Sequence, residues 1–300
     1  MAWRDPEVRR IPAGPGELTV GRWGDGSGTP VVASHGITAN HRSFGQLAAA
    51  FTNGGIDATL WAVDHRGRGS SADHPGPYGL LSHADDLIVV LDAVGLDDAV
   101  LVGHSMGAYV AANTAERAPD RVRGLVLVDG ALSLPGAVPP PDADVEQLVR
   151  AVIGPSLDRL DMTFDSPEAY LDHWRAHPAF AGDAFNDVVE AHLRNDLVAV
   201  GDRWRSPVSK DAVLADGRDT LLDERLRNAV TRIGQPTRLL WAPRGMFDQT
   251  PGLFPAEVVA DVAARLDHLE AVRVDDVNHY TIVFSEHGAE QIAAAVAEVA

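Results

Sequence analysis

Between residues 98 and 118 the chain reads as a short buried strand, a serine flanked by glycines, and a helix, and few folds accommodate that order. The strand pattern covers 98–103, the helical pattern 106–118, and Gly103-His-Ser-Met-Gly107 lies across their junction. Gly-x-Ser-x-Gly in this setting is a sharp strand-to-helix turn that holds a serine hydroxyl clear of the backbone. A Cβ at either glycine would collide with the neighbouring strand or helix. Ser105 is therefore a candidate nucleophile. The rest of the chain then has to supply a base, an acid to orient it, and donors for an oxyanion.

The surrounding sequence supports the same architecture. Apolar runs at 17–23, 31–34, 57–63, 98–103 and 122–128 alternate with helical patterns at 43–52, 82–94 and 106–118. Short apolar strands alternating with helices imply βαβ units and a mostly parallel sheet. The glycine-rich segment 24–30 reads as a hairpin turn, since no helix start follows it. After residue 131 the rhythm breaks. Residues 132–141 carry Pro135, Pro139, Pro140 and Pro141 and suit a linker. Helical patterns follow at 145–153, 167–176, 187–198 and 220–233 with no convincing sheet strand. A strand at 237–242, a helix at 255–267, a strand at 269–274 and a last helix to 299 complete the chain. The expected organisation is a core of residues 1–132 plus 235–300, with a helical cap of residues 133–234 inserted after the sixth core strand.

Composition narrows the function classes. Hydrophobic content is 45%, enough for a sizeable core. No apolar run has the length of a membrane span, and the N-terminus lacks a signal-peptide pattern. There is no cysteine, which excludes disulfides, thiol catalysis and Cys-ligated zinc. A net charge of −18, with Lys210 the only lysine, disfavours nucleic acid and anionic membranes. These features suit a cytoplasmic protein whose partner is a small-molecule substrate, with no nucleic acid and no membrane, and with oligomeric state left open. His173, His177 and His192 match no zinc spacing, so neither a metal nor a cofactor is expected. Asp85–Asp86 and Asp275–Asp276 read as solvated or helix-capping acids.

Four motifs, Ser34-His-Gly-Ile37, Asp64-His-Arg-Gly-Arg-Gly-Ser70, Gly103-His-Ser-Met-Gly107 and Asn278-His279, resemble those of a capped α/β-hydrolase, and the likeness runs over essentially the whole chain. The resemblance implies the α/β-hydrolase fold, a mostly parallel central sheet flanked by helices, and a lid above the serine. It makes His279, which follows the last strand, the base for Ser105. It places the acid at Asp248, in a loop after strand 237–242 with the pattern Gly245-x-x-Asp248, or alternatively at Asp129, directly after the sixth strand. The order Ser, Asp, His is that of this fold. The oxyanion donors are expected to be the backbone N–H groups of Ile37 and Met106. The Asp64–Ser70 segment is expected to shape and brace loops. Among the lid aromatics, Trp174 is the expected substrate contact.

The activity this implies is that of a serine hydrolase cleaving a carboxylic ester or lactone of a small, largely apolar substrate through an acyl-enzyme on Ser105. The alternatives are a C–C bond hydrolase of diketone-type substrates, which a basic lid residue such as Arg175 or Arg194 would favour, an acyltransferase or perhydrolase, and a non-hydrolytic small-molecule binder on the same fold.

Overall fold

The structure, a computed structural model, describes residues 4–134, 140 and 142–300. In chain order the strands are β1 (Glu7–Ala13), β2 (Gly16–Trp23), β3 (Thr29–Ser34), β4 (Ala58–Val63), β5 (Ala99–His104), β6 (Val122–Val128), β7 (Val198–Val200), β8 (Arg203–Arg205), β9 (Thr237–Trp241) and β10 (Leu269–Arg273). The helices are α1 (Gly45–Gly54), α2 (Leu80–Val94), α3 (Met106–Arg117), α4 (Val145–Asp158), α5 (Pro167–Arg175), α6 (Asp187–Asn195), α7 (Lys210–Leu221), α8 (Glu224–Arg227), α9 (Ala256–Ala263), α10 (Thr281–Phe284) and α11 (Glu286–Val299). Eight strands form one sheet in the order β1-β2-β4-β3-β5-β6-β9-β10. From β4 to β10 the neighbours are parallel, while β1 and β2 extend the sheet antiparallel at one edge.

Alternation along the strands builds a core on each face. Val31 and Ala33 of β3, with Val100 and Val102 of β5, pack with α1 and α11. Val32 and Leu101, one residue out of phase, pack with Leu87 and Leu91 of α2 and Val110 of α3. Every strand that leads into a candidate catalytic loop delivers it at its carboxyl end, where ligands bind in open parallel sheets.

Two local expectations are corrected. Segment 24–30 is not a hairpin turn, because β2 and β3 are not neighbours and both pair with β4. The hairpin is instead β1–β2. Strand β1 has an exposed, charge-rich sequence with no clear alternation, which suits an edge strand and hides it from pattern reading. The single helix expected at 220–233 is broken, because Asp223 caps a new start by accepting from the Leu226 N–H at 3.0 Å. The preceding helix α7 contains Gly217, which lowers its helical signal. A Cβ on Gly217 would stand 2.3 Å from Cγ2 of Val149, so the glycine lets α7 close on α4.

Between β6 and β9 the described residues add no strand to the main sheet. They form α4–α8 and the separate β7–β8 ribbon. The proline-rich linker expected at 132–141 falls largely on residues outside those described. No helix among the described residues is long and apolar enough to cross a membrane.

Buried charges fasten α7 to the core and brace the loop that follows β4. Arg68, fully buried, pairs with Asp216 of α7. Asp216 also accepts from the Gly79 N–H at 2.8 Å and contacts His83 at 3.0 Å. Burial alone would push the Asp216 carboxyl up, but the Arg68 charge and then His83 hold it below the usual carboxylate range. Asp64 accepts from the backbone N–H groups of His41 and Ser70 at 2.6 and 2.8 Å. Arg66 grips Asp86 through two bonds of 2.7 and 2.6 Å. Asp86 is thus a buried ion-pair partner and not the solvated acid expected.

Two outcomes are expected. Asp216→Ala leaves the Arg68 charge buried and unpaired and should cost about 3–5 kcal/mol, read as a lowered denaturant midpoint. Gly107→Ala places a Cβ 1.9 Å from the Ser34 carbonyl oxygen, a backbone atom. It should destabilise by about 3 kcal/mol or more, with a matching fall in Tm.

Candidate active site

Ser105 occupies the turn between β5 and α3 with φ 54° and ψ −120°. Positive φ is strained for a residue with a Cβ and persists only where its surroundings enforce it. Here the Ser105 N–H donates to the Val128 carbonyl at 2.9 Å. Gly103 and Gly107 give α3 the room to approach: a Cβ on Gly103 would meet the Gly107 oxygen at 2.2 Å, and one on Gly107 would meet the ends of β3.

His279 lies between β10 and α10 and is buried. Its Nδ1 contacts Oδ2 of Asp129 at 2.7 Å. A ring nitrogen facing a carboxylate carries the proton, which leaves Nε2 as the acceptor for a serine hydroxyl. Asp129 follows β6 with φ 45° and is fully buried. Its Oδ1 accepts from the Ala242 N–H at 3.2 Å, and its own N–H donates to the Leu240 carbonyl at 2.7 Å. The carboxylate is therefore gripped by β9 before it reaches the imidazole.

Asp248, the first expectation for the acid, does not contact His279. The loop after β9 folds back on itself, with Gly245 N–H donating to the Gln249 carbonyl at 2.8 Å. This turn carries Asp248 to the outer side of the histidine loop. There its Oδ2 takes Nη1 of Arg244 at 3.0 Å and its Oδ1 takes Nδ2 of Asn278 at 2.9 Å. Arg244 also holds the Asp276 carbonyl at 2.7 Å, and Oδ1 of Asn278 accepts from the N–H groups of Tyr280 and Thr281 at 3.0 and 2.9 Å. Asp248 is part of a clamp on the segment preceding His279. The alternative, Asp129, is the carboxylate paired with the imidazole.

Ile37 and Met106 both border the cavity that contains Ser105. Met106 opens α3, so its N–H has no acceptor within the helix. The Ile37 loop comes close to the serine, since a Cβ on Gly36 would lie 3.4 Å from the Ser105 Cβ. The loop is fixed from behind: Nε of Arg68 donates to the Ile37 carbonyl at 3.0 Å, and Nδ1 of His35 contacts the Gly36 carbonyl at 2.7 Å.

Two small cavities, about 60 and about 50 Å³, meet at Ser105, His279, Ile37, Ile153 and Met246. The first is an apolar lobe walled by side chains such as Leu134, Val149, Val152, Leu221, Leu253 and Phe254. The second is also lined mostly by apolar surface, but Ser156, Arg159, His192, Asp196 and Tyr280, beside Trp174, bring polar groups to it and make it the more polar lobe. Trp174 stands in its wall, where the sequence reading looked for a substrate contact. His192 is held down to about 3, first by burial and then by the His35 and Arg159 charges, so it is neutral at ordinary pH. Burial, then the neighbouring His279, also holds His104 well below the usual histidine range. Its Nε2 donates to the His279 carbonyl at 2.8 Å, another fixture of the histidine loop.

Sequence reasoning missed Arg159, Asp196, Ser156 and Tyr280. The run Leu157-Asp-Arg-Leu-Asp161 reads as a solvated helix end, and nothing local distinguishes the buried arginine from its exposed neighbours. Arg175 and Arg194, the basic residues considered for the pocket, instead form exposed ion pairs with Asp172, Glu168 and Glu190. Among the described residues no group of three or more His, Asp or Glu side chains is arranged to hold a metal ion.

The model of the alpha/beta hydrolase fold family matches residues 29–286. Lipase LipV of Mycobacterium tuberculosis is 29% identical over 83% of this chain and 98% of its own length. The 2-(acetamidomethylene)succinate hydrolase of Mesorhizobium japonicum is 34% identical, but over only 38% of this chain and 40% of its own. Among solved structures, that of E-2-(acetamidomethylene)succinate hydrolase superposes with a TM-score of 0.76 at 23% identity, covering 93% of this chain and 94% of that one. A thioesterase domain from the curacin biosynthetic pathway superposes with a TM-score of 0.74 at 18% identity, covering 98% of this chain and all of that one.

Proposed function

The chain belongs to the alpha/beta hydrolase fold family, and from that premise we propose that it is a serine hydrolase cleaving a carboxylic ester or lactone of a small substrate through an acyl-enzyme on Ser105. One observation carries this reading. The Asp129–His279 pair, at 2.7 Å, borders the same cavity as a serine strained into the accessible position of its turn.

Nε2 of His279 takes the hydroxyl proton as Oγ of Ser105 attacks the substrate carbonyl carbon. Asp129 keeps the imidazole in the required tautomer and stabilises its charged form. The N–H groups of Met106 and Ile37 receive the oxyanion, and each such donor contributes roughly 10²–10³ in rate. The intermediate collapses with cleavage of the bond to the leaving oxygen, which takes the proton from His279. Water then enters, gives a proton to His279 and attacks the acyl carbon. Collapse releases the carboxylic acid and returns the proton to Oγ of Ser105. Lid residues from α4 and α7 wall the apolar lobe, and Trp174 contacts substrate from the polar side. The total space suits small substrates.

A burst assay with short-chain p-nitrophenyl esters and simple lactones tests the mechanism. Ser105→Ala should abolish the burst and lower kcat on the order of 10⁴–10⁶-fold. Full activity in that variant would remove the serine from the mechanism. Asp129→Asn should lower kcat by about 10⁴, whereas Asp248→Ala should cost far less, within about tenfold, because it loosens the loop without removing the imidazole's partner. A larger loss at Asp248 would return the acid to that position.

A further inference from the structure

The polar lobe holds a guanidinium whose bonding is unfinished. Arg159, at the end of α4, is 1% exposed and borders the cavity shared with Ser105 and His279. Taking a cation out of water costs several kcal/mol even after relaxation, so its surroundings must return that energy. Arginine offers five N–H donors. The bonds to the Tyr170 hydroxyl (2.6 Å) and to Oδ2 of Asp196 (2.5 Å) are both made by Nη1, and Nε is buried without a partner. Asp196 is itself shared, since its Oδ2 also accepts from Tyr170 and its Oδ1 from the Ser206 hydroxyl at 2.9 Å.

Arg68, the other fully buried arginine, shows what a closed structural site looks like in this molecule. Its Nε donates to the Ile37 carbonyl and its Nη1 to the Arg66 carbonyl, while its Nη2, which makes no hydrogen bond, is held in an ion pair with Asp216, so each nitrogen faces a partner within the protein. It borders neither cavity at Ser105. Arg159 uses one nitrogen, borders the cavity, and has the faces of Trp174 and Tyr170 at 5.3 and 5.8 Å from its carbon. Aromatic faces hold a guanidinium plane in place without consuming its N–H groups.

We propose that the polar lobe is a carboxylate subsite, and that the substrate is a small ester or lactone bearing a carboxylate a few bonds from the scissile carbonyl, received by the unfinished edge of Arg159. A planar, oriented guanidinium edge fits a carboxylate through paired charge-assisted bonds. The apolar lobe then takes the other, uncharged end, and the scissile carbonyl lies where the two lobes meet. His192 in the same lobe is neutral and adds no competing cation, and Ser156 and Tyr280, 3.3 Å apart, offer hydroxyls beside the arginine. This deepens the reading of Ser105 as the nucleophile of an ester hydrolase and rests on it.

The test uses two matched pairs of esters and the intact protein. On the acyl side, mono-p-nitrophenyl succinate is compared with p-nitrophenyl 4-methylpentanoate, in which an isopropyl group replaces the carboxylate. On the leaving-group side, 3-carboxyphenyl butyrate is compared with 3-isopropylphenyl butyrate. Wild type should prefer the charged member of one pair by about 10–100-fold in kcat/KM. That preference should fall towards unity in Arg159→Met. Because Arg159→Met leaves Asp196 unpaired, the double variant Arg159→Met/Asp196→Asn repeats the comparison with no buried charge. A wild-type preference for the neutral member of both pairs, or a charged preference that survives removal of Arg159, overturns the subsite. Binding of monomethyl succinate to Ser105→Ala protein, measured by calorimetry with and without Arg159→Met, separates the two readings. Arg159-dependent binding without turnover of any ester would sink the hydrolase mechanism and keep the subsite. Serine-dependent turnover without such binding or preference would do the reverse.

Discussion

Helix α3 can lie against the sheet only because residues 103 and 107 have no side chain, and the arrangement around Ser105 depends on that close approach. A Cβ at Gly107 would sit 1.9 Å from the Ser34 carbonyl and 2.8 Å from that of His35. The helix that begins at Met106 and the loop that leads to Ile37 are thus locked against each other. The same contact forces Ser105 into its positive-φ turn, and the bond from its N–H to Val128 ties it to the last residue of β6, just before Asp129. Ser105, the Ile37 loop and Asp129 share one rigid platform, with His279 brought in from the loop after β10. On the proposed mechanism, preorganisation of this kind means that little has to move when charge develops in the transition state.

Buried charge is used in two distinct ways. Around Arg68 the pairs are closed, and their effect is mechanical: they join α7 to the core and hold the Ile37 carbonyl so that the loop presents its other face to the serine. Around Arg159 the pair is open, and it stands beside the nucleophile. The same chemistry gives a brace in one place and, on our proposal, a recognition element in the other. The difference lies in how many nitrogens the protein itself occupies. The acidic surface that gives the chain its net charge of −18 is separate from both, since its exposed ion pairs are worth little individually.

Much of this was legible before any coordinates. The strand and helix periods around β3–β6 and α3 carried the sheet, and the pentapeptide at 103–107 carried the strand-to-helix turn at Ser105. The pattern failed where polarity misleads. Edge strand β1 has charges where a buried strand has apolar residues, and α7 contains a glycine needed for packing. Asp86 and Arg159 look like surface residues because a buried ion pair has no period of its own. The acid illustrates the same limit. Asp129 and Asp248 each follow a strand of the sheet and each lies between the serine and the histidine in chain order. Only the turn at Gly245–Gln249, and the bonds that direct Asp248 outward to Arg244 and Asn278, separate them.

The sequence by itself determined the sheet's interior strands, the sharp turn at Ser105 and the histidine after the last strand, because these follow from local periodicity, glycine sterics and chain order. The tertiary structure alone decided which carboxylate meets the imidazole, which arginine borders the cavity, and how the space at Ser105 divides into an apolar and a polar lobe. Those features come from side chains far apart in sequence, such as Asp129 with His279 or Arg159 with Asp196. Their pairing depends on how loops turn and helices pack, and no short stretch of residues encodes that geometry.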